Sequence, residues 1–521
     1  IVTDRHPQPR SLSLGMASTF CGVLLLAFAS SYGMLLAGAM MIGIVAGMVV
    51  GLIPGLGGLV AHILLIPFAL QMGDPLAAIA MLLGVYAVTV QTDSIPAVLL
   101  GVPGTAAALA TSLDGYPMSK RGEAGRALSA SYFGSIFGTL VATVIFILFL
   151  PLLRALVNSF SSPEFFMMVV LGLVMAASLS GRSQSRGLMM AGLGLILSTV
   201  GQAPGTGDPR FIGPFLYLWE GLPIIPILLG LFGVPEIIDL AARNRSIAES
   251  KPVEKIAGLW DGMMDCVRNW WLVFRCSVIG VVTGFIPGLG GNVAEWMCYA
   301  SAVSGDKNPE HEYGKGNVRG IIAPETGTAA HLPGAIIPTV AFGVPGNPPM
   351  AVLLGIFVVL GVRPGRDMLT YKLDETFMMV NVVTVANIIA AVLCLVFQRY
   401  LVRLCFVRAT LLVPFILAAM VMGASFSNLS LGDIGFFAAA GMAGYIFKHM
   451  DWPRVPMVMG LILGGIAEPY FFAAWDRYGL TWLYERPIVL ILEMMILFML
   501  FSKPIRRLLL DRYGREAKAN D

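Results

Sequence analysis

Long apolar stretches separated by short polar connections run along most of the chain. Because a transmembrane helix needs about 20 mostly apolar residues, stretches of this length predict membrane spans in both halves. In the first half the predicted spans cover residues 16–33, 127–153, 164–180 and 187–201, with a shorter apolar piece at 223–240. In the second half they cover residues 376–398, 410–427, 431–447, 455–473 and 487–502. The pattern predicts an all-α polytopic membrane protein.

Two further apolar stretches are interrupted by nearly the same phrase. G-L-I-P-G-L-G-G occupies Gly51–Gly58, and G-F-I-P-G-L-G-G occupies Gly284–Gly291. The stretch at residues 35–70 is too short for two full spans, so it is predicted to form a re-entrant hairpin of two half-helices that meet at Pro54–Gly58, and residues 270–303 are its counterpart. Hydrocarbon offers no water to freed backbone N–H and C=O groups, so such a break survives only inside protein or beside an aqueous cavity. The alternative interpretation is a pair of helix kinks or a packing face of small residues.

Each predicted hairpin is followed by a long apolar segment with its own interruptions. Residues 75–113 contain T-D-S-I-P at Thr92–Pro96 and G-V-P-G-T at Gly101–Thr105, which predicts a span broken near its centre. A polar loop is predicted at residues 114–126. Residues 318–362 contain A-P-E-T-G-T-A-A, G-A-I-I-P and a second G-V-P-G, and are predicted as another broken span.

The order of these motifs recurs, which indicates an internal duplication. The first phrase returns after 233 residues and the G-V-P-G after 242, while Pro96 and Pro338 each stand five residues before their G-V-P-G. Paired interruptions in the two halves of a transporter mark its binding site. We therefore predict two inverted repeats, each with a re-entrant hairpin and a broken transmembrane helix. The predicted divisions are a first repeat with N-terminal spans (1–235), a polar linker (236–269), a second repeat with C-terminal spans (270–502) and a basic tail (503–521).

The composition agrees with a membrane protein and excludes several other classes. Hydrophobic residues make up 57% of the 521 residues and charged residues 12%, against about 25% charged in soluble domains. The mean hydropathy is +0.80. The net charge is only +3 and the basic residues lie in short connections, so nothing supports nucleic-acid binding. The six cysteines show no C-x-x-C spacing, and structural roles are expected for them.

The ends of the chain and its orientation leave alternatives open. Arg5 and Arg10 precede an apolar run at Met16–Leu36 that resembles a signal peptide, but the run is too long and is interpreted as the first span. Whether residues precede Ile1 is open. The basic loops favour the cytoplasm, yet Arg363 and its neighbours occupy the loop equivalent to the Lys120 loop, so orientation stays open.

Taken together, the motifs resemble one known family. G-L-I-P-G-L-G-G, then G-V-P-G-T followed by L-D-G-Y-P-M-S-K-R-G at Leu113–Gly122, then A-P-E at Ala323–Glu325 and a second G-V-P-G are similar to the large membrane subunit of the tripartite tricarboxylate transporters. The resemblance covers nearly the whole chain. It implies a permease subunit in a bacterial inner membrane that works with a small four-span membrane subunit and a periplasmic solute-binding protein. It also implies an elevator-type fold and carboxylate uptake driven by a cation gradient.

The backbone groups exposed at these motifs can bind both an anion and a cation. Half-helices that end at glycines present free N–H groups and the positive ends of their dipoles to an anion, and carbonyls freed at the same breaks can coordinate Na⁺. No resident cofactor is expected; Na⁺ is the expected coupling ion. The expected substrate-binding residues are Gly55, Gly57, Gly58, Ser94, Thr105, Gly288, Gly290, Gly291, Asn292, Thr326 and Asn347. The possible Na⁺ ligands are Pro54, Thr92, Asp93, Pro287, Glu325 and Thr328.

Four titratable residues within apolar sequence carry competing interpretations. Asp93 is expected to face an ion or a cavity, although a helix cap or a loop position in water would also explain it. Glu325 is interpreted either as an ion ligand or as a capping or helix-pairing acid. The family often has small hydroxyl residues in place of Asp93 and asparagines after the A-P-E, so this chain departs from the pattern at both places. His62 and His331 suggest proton coupling, against simple hydrogen bonding within the bundle.

Three rival functions follow from the same sequence. A stand-alone proton-coupled carrier of organic anions is the nearest, and an anion channel with half-helices is the second. An intramembrane enzyme is the third, but neither H-E-x-x-H nor G-x-S-x-G occurs, so the chain is not expected to be an enzyme. The substrate, the coupling stoichiometry and the oligomeric state are open at this level.

Overall fold

The chain folds as a nearly all-helical membrane bundle. A computed structural model describes residues 31–52, 57–102, 105, 108–179, 183–242, 258–306, 309–404, 409–425 and 429–501. Six of the described helices are long and apolar enough to cross a membrane. The strands of the described residues form one short ribbon, in which β1 (Gly201–Gln202) pairs antiparallel with β2 (Pro209–Arg210). The predicted all-α polytopic class is confirmed.

The helices of the first half follow the predicted apolar runs. They are α1 (Tyr32–Gly51), α2 (Gly57–Leu70), α3 (Pro75–Leu100), α4 (Leu109–Lys120), α5 (Ala124–Asn158), α6 (Ser162–Leu179), α7 (Gln184–Ser198) and α8 (Ile224–Ala242). A π-helical turn at Leu229–Gly233 interrupts α8. The predicted first span at residues 16–33 falls almost wholly outside the described residues.

The helices of the second half include a second hairpin and a second long helix that ends at G-V-P-G. They are α9 (Leu259–Arg268), α10 (Trp270–Phe285), α11 (Gly290–Gly305), α12 (Arg319–Phe342), α13 (Pro348–Val359), α14 (Arg366–Leu369), α15 (Leu373–Leu404), α16 (Ala409–Ser425), α17 (Leu431–His449), α18 (Arg454–Tyr478), α19 (Trp482–Glu485) and α20 (Pro487–Phe501). The described parts of the predicted linker, residues 236–242 and 259–268, are helical. The basic tail at 503–521 lies outside the described residues.

The first Pro-Gly-Leu-Gly-Gly phrase separates α1 from α2 and makes the first hairpin. α1 ends at Gly51 and α2 begins at Gly57. The Tyr32 hydroxyl at the start of α1 donates to Asp74 Oδ1 at 3.3 Å, just beyond the end of α2, so the hairpin begins and ends at one place. α1 has 20 residues, about 30 Å at 1.5 Å per residue, and is therefore longer than the predicted half-helix.

The second phrase separates α10 from α11 and makes the second hairpin. Its tip contains Gly288 and Gly290, whose φ angles of 81° and 70° lie in the left-handed region that glycine adopts without strain. Arg275, near the start of α10, donates to the Ser301 carbonyl near the end of α11 at 2.6 Å. The two helices therefore run back along each other from the tip.

The two G-V-P-G motifs end helices in the same way. Gly101 and Gly343 adopt φ angles of 66° and 68°. The N–H of Val102 donates to the Pro96 carbonyl at 3.3 Å, and the N–H of Val344 donates to the Pro338 carbonyl at 3.1 Å. In both motifs the carbonyl of the proline five residues before the left-handed glycine therefore accepts the N–H of the residue that follows the glycine. We name residues 101–108 the first break and residues 343–347 the second break.

The structure corrects the prediction of breaks at T-D-S-I-P and A-P-E-T-G-T. α3 runs without interruption through Thr92–Pro96, and α12 runs through Pro324, Pro333 and Pro338. Both helices are buried along nearly their whole length. Proline is tolerated inside such a membrane helix because neighbouring helices and side chains satisfy the freed backbone groups.

Close helix contacts at glycines hold the two halves in a similar arrangement. α1 packs along α3, and α10 packs along α12. A Cβ on Gly43 of α1 would overlap the Met81 carbonyl of α3, and one on Gly280 of α10 would overlap the Gly327 carbonyl of α12. Small residues at these positions let the backbones approach. The small-residue interpretation therefore applies to the helices that flank the hairpin tips.

The predicted polar loop at residues 114–126 is instead largely the helix α4 and the start of α5. Asp114 is buried in α4 and joins the two halves: its Oδ1 accepts the N–H groups of Gly314, Gly316 and Asn317, each at 2.8 Å. Its Oδ2 accepts the Tyr299 hydroxyl at 2.9 Å. The L-D-G-Y-P-M motif thus supplies an anchor for the segment that leads into α12.

Asp114→Ala is expected to destabilise the fold by at least about 1–3 kcal/mol, because it leaves buried N–H donors without an acceptor. Asp114→Asn keeps one acceptor oxygen and is the matched control. The measurement is thermal unfolding of both variants in detergent. An Ala variant that unfolds at the same temperature as the unsubstituted protein contradicts the anchoring role.

Candidate functional site

One cavity lies where the two hairpin tips and the two breaks meet. Its volume is about 380 Å³, within the about 300–1,000 Å³ usual for small-molecule sites. The lining residues come from both halves of the chain. They are Gly58, Leu59, Tyr86, Thr89, Val90, Asp93, Thr105, Gly288, Leu289, Gly290, Gly291, Asn292, Thr328, His331, Leu332, Asn347, Pro348 and Pro349.

The lining residues fall into pairs that obey the spacing of the sequence repeat. At the hairpins the 233-residue offset relates Gly58 to Gly291 and Leu59 to Asn292. At the long helices and breaks the 242-residue offset relates Tyr86 to Thr328, Thr89 to His331, Val90 to Leu332 and Thr105 to Asn347. Each half therefore contributes equivalent backbone positions to the cavity wall, with different side chains at most of them.

The hairpin tips bring helix N-termini to the cavity. α11 begins at Gly290, so its first N–H groups have no partner within the helix. The N–H of Gly288 donates to the Gly346 carbonyl at 3.1 Å, which ties the tip of the second hairpin to the second break. The N-terminal turns of α2 and α11 are the type of site that favours an anion.

Asp93 and Thr105 face each other across the first break. Asp93 lies in the last two turns of α3 and is 4% exposed. It accepts a hydrogen bond from the Thr105 hydroxyl. Among the described residues that line the cavity, Asp93 is the one carboxylate and none is Lys or Arg. The cavity therefore places a single acid beside backbone and neutral polar groups.

Asn347 occupies the corresponding place at the second break. Its Oδ1 accepts the Met350 N–H at 3.0 Å and so caps α13. Its Nδ2 lies 3.0 Å from His331 Nε2 and donates to the Tyr86 hydroxyl oxygen. Tyr86 also contacts His62 edge-on, with ring centroids 5.6 Å apart. A chain of polar groups thus crosses from one half to the other.

Two further acids are buried near the first break but outside the cavity wall. Glu325 Oε1 accepts the hydroxyls of Ser94 at 2.9 Å and Thr111 at 2.7 Å. Glu295 Oε1 accepts the Ala110 N–H at 2.6 Å, so an acid of the second hairpin caps the N-terminus of α4. Both carboxylates connect the two halves, and for Glu325 this agrees with the interpretation as a helix-pairing acid.

The structure divides the predicted site residues into three sets. Those that line the cavity are Gly58, Asp93, Thr105, Gly288, Gly290, Gly291, Asn292, Thr328 and Asn347. Those placed elsewhere are Thr92, Ser94, Pro287, Glu325 and Thr326, and Gly57 is the first residue of α2. Pro54 and Gly55 lie outside the described residues.

The residues placed elsewhere have other contacts. Thr92 donates to the Val88 carbonyl at 3.2 Å and packs against Gly51. Thr326 packs against Gly138 of α5. Their expected roles in substrate or Na⁺ binding assumed a broken backbone at these positions, whereas the continuous helix turns their side chains toward neighbouring helices.

Sequence reasoning missed Tyr86 and Thr89 and gave His331 only a proton-coupling role. Thr89 lies three residues after Tyr86, and both precede the motif that drew attention to Asp93. The missing signal was the repeat itself: the 242-residue offset from Thr328 and His331 leads to these two positions.

The described part of the chain contains no cluster of His, Cys, Asp and Glu side chains suited to a metal ion. No group of three or more His, Cys, Asp or Glu side chains there could hold a metal ion. The four described cysteines are free and buried, as expected for structural roles.

Comparisons with known proteins place the chain in a family. The chain is 30% identical over 431 residues to an uncharacterized 52.8 kDa protein in the TAR-I ttuC' 3' region of Agrobacterium vitis, covering 82% of this chain and 85% of that protein. It is 26% identical over 191 residues to an uncharacterized protein in the TAR-II ttuC' 3' region of the same organism, covering 37% of this chain and 78% of that protein. No solved structure matches the chain. Residues 37–459 match the tripartite tricarboxylate transporter TctA family, and the chain therefore belongs to that family of transporter components.

Proposed function

We propose that this protein is the large permease subunit of a binding-protein-dependent secondary transporter that imports a carboxylate with a cation gradient, with Na⁺ as the coupling ion. The observation that carries the proposal is the cavity at the meeting point of two hairpin tips and two helix breaks. Interrupted helices from two repeats surround the substrate in transporters of this kind. Family membership supports the transport of a tricarboxylate or another organic acid.

Inverted orientation of the two repeats is part of the proposal. α5 has 35 residues and spans about 50 Å. Near its start, Arg126 forms an ion pair of 2.6 Å with Asp265, just before the second hairpin. At its end, the Asn158 side chain accepts Arg366 Nε at 3.0 Å, shortly before α15.

The base of the first hairpin supports the same orientation. The hydroxyl of Tyr32, where α1 begins, interacts electrostatically with Asp374 and Glu375 at the start of α15. The two hairpins then enter from opposite ends of the bundle. An elevator-type movement would carry the hairpins and the helices that line the cavity relative to the remaining helices.

A cation at Asp93 accounts for the charge in the cavity. A buried carboxylate is costly unless its charge is balanced, and a substrate carboxylate would add to the negative charge. Na⁺ bound by Asp93, the Thr105 hydroxyl and freed carbonyls would offset the charge of Asp93. A carboxylate would then bind the N-terminal turns of α2 and α11 on the opposite part of the wall.

The proposal also includes the partner proteins, the membrane in which the complex lies and the orientation of the bundle in it. A small four-span membrane subunit would pack against the bundle in the bacterial inner membrane, and a periplasmic solute-binding protein would deliver the substrate. Lys120, Arg121 and Arg126 lie at the same end of the bundle as the second hairpin's base, and the positive-inside rule then favours that end for the cytoplasm.

Proteoliposomes containing this protein, a small membrane subunit and a solute-binding protein from the same organism test the proposal. Uptake of radiolabelled citrate and of a panel of other carboxylates is expected to require both an inward Na⁺ gradient and the binding protein. Uptake that ignores Na⁺ but follows a pH gradient would favour the proton-coupled carrier. Flux that does not saturate and needs no cation gradient would favour the channel, and uptake without the binding protein would contradict the tripartite arrangement.

A further inference from the structure

Asn347 has an orientation fixed by its cap on α13. A backbone N–H can only donate, so the 3.0 Å contact from the Met350 N–H places the amide oxygen of Asn347 toward α13. The amide nitrogen therefore points the other way. There it contacts two partners, the Tyr86 hydroxyl oxygen and His331 Nε2.

This orientation decides where His331 carries its hydrogen. An amide nitrogen donates and does not accept, so His331 Nε2 is the acceptor of the 3.0 Å bond. A neutral imidazole with Nε2 as acceptor has its hydrogen on Nδ1. Nδ1 is buried and has no hydrogen-bond partner in the described part of the chain, while the His331 ring lines the cavity. An N–H donor is thus available for a ligand.

The same reasoning applies to Tyr86. Its oxygen accepts from Asn347 Nδ2, so its own hydrogen is left to donate, and the described residues provide no acceptor for it. Thr328 lies one helical turn before His331 on the same face of α12, and its buried hydroxyl oxygen has no partner among the described residues. Three donors therefore belong to one wall of the cavity.

We propose that Tyr86, His331 and Thr328 form a subsite for a carboxylate group of the substrate, with Asn347 as the residue that positions the first two. The subsite rests on the proposed function and adds its chemistry: neutral donors recognise the anion where no Lys or Arg is present in the wall. Because neutral donors leave the substrate's charge uncompensated, carboxylate binding requires the co-bound cation. This makes substrate affinity depend on Na⁺ without a direct contact between Na⁺ and His331.

The tautomer of His331 can be measured without any substrate. The full-length protein, labelled with ¹⁵N-histidine and placed in lipid nanodiscs, is studied by solid-state NMR, and His331→Asn identifies the signal among the five histidines. We expect neutral His331 with its hydrogen on Nδ1. Asn347→Asp keeps the cap on α13 but replaces the donor with an acceptor, so the hydrogen is expected to move to Nε2. A hydrogen on Nε2 in the unsubstituted protein, or no change in Asn347→Asp, overturns the proposal.

Uptake of citrate as the probe tests the subsite itself. His331→Asn places an amide nitrogen near the position of Nδ1, whereas His331→Gln places its amide oxygen near the position of Nε2, where it accepts from Asn347, and leaves the Nδ1 position empty. His331→Gln is expected to raise the citrate concentration for half-maximal uptake about tenfold, the effect of a lost bond to a charged group, while His331→Asn stays within about threefold. Equal effects of the two variants overturn the subsite. No citrate uptake by the unsubstituted protein counts against the proposed function, whereas the NMR result stands separately.

Discussion

Replacing Asp93 by Asn is expected to lower Na⁺-driven carboxylate uptake about 100-fold. Asp93 is the one carboxylate in the cavity wall and is buried. Removing one member of a buried, hydrogen-bonded charge pair costs about 2–5 kcal/mol, and each 1.36 kcal/mol corresponds to about tenfold. Asn keeps the shape of the side chain and one acceptor oxygen for the Thr105 hydroxyl. The decrease in uptake therefore measures the effect of removing the negative charge. Initial uptake rates in proteoliposomes over a range of Na⁺ concentrations provide the measurement.

Asp74→Asn is the matched control for this experiment. Asp74 lies at the base of the first hairpin, away from the cavity, where its Oδ1 accepts the Ala77 N–H at 2.7 Å and caps α3. Asn caps a helix about as well as Asp, so uptake by this variant is expected to stay within about twofold of the unsubstituted protein. If Asp93→Asn retains the same rate and the same dependence on Na⁺, Asp93 does not hold the coupling ion.

Gly288→Ala is expected to reduce uptake by a similar factor through geometry alone. Gly288 has a φ of 81°, which costs an L-residue about 1–2 kcal/mol. A Cβ there would lie 3.0 Å from the Ala176 Cα and 3.2 Å from the Ala176 backbone nitrogen of α6, and backbone in a packed helix does not yield. Overpacking adds about 1–3 kcal/mol. The tip must then shift away from Ala176, which disturbs the bond from the Gly288 N–H to the Gly346 carbonyl.

Gly290→Ala separates backbone strain from the steric clash. Gly290 also has a left-handed φ, 70°, but a Cβ at this position meets no atom within 4 Å. Uptake by the Gly290→Ala variant is therefore expected to decrease clearly less than uptake by the Gly288→Ala variant. Both variants are compared by initial uptake rate and by thermal unfolding in detergent. Equal rates for the two variants would show that contact with α6 does not position the tip.

Local chemistry explains which features of the fold were predictable. Proline followed by glycines ends a helix by its own backbone properties, so the hairpin tip before α11 was placed correctly from the sequence, whereas residues 53–56 of the tip before α2 lie outside the described residues. The same holds for the glycines that close α3 and α12, because a left-handed residue needs only its two neighbours. The membrane class followed from the length of the apolar runs.

The prolines inside the long helices show where local reasoning fails. Pro96 ends the polar phrase T-D-S-I-P, and Pro324 stands directly before Glu325. A proline near polar residues in an apolar stretch predicted a helix break at both places, yet α3 and α12 continue through both prolines. Whether a proline interrupts a helix depends on what satisfies the freed carbonyl, and that is provided by helices distant in sequence. The prediction of a polar loop around Asp114 failed for the same reason. The N–H groups that bind its buried carboxylate belong to residues about 200 positions away in the sequence.

By itself the sequence determined the class of protein, the hairpin tip before α11 and the glycine-closed helix ends, since each depends on a few adjacent residues or on the length of the apolar runs. Only the tertiary structure decided which side chains reach the cavity. With α3 continuous, Tyr86, Thr89, Val90 and Asp93 share one helical face and line the wall, whereas Ser94 is turned toward Glu325. The physical reason is that a helix distributes neighbouring residues over different faces, so the choice between cavity and helix contact is set by packing against the other half of the chain.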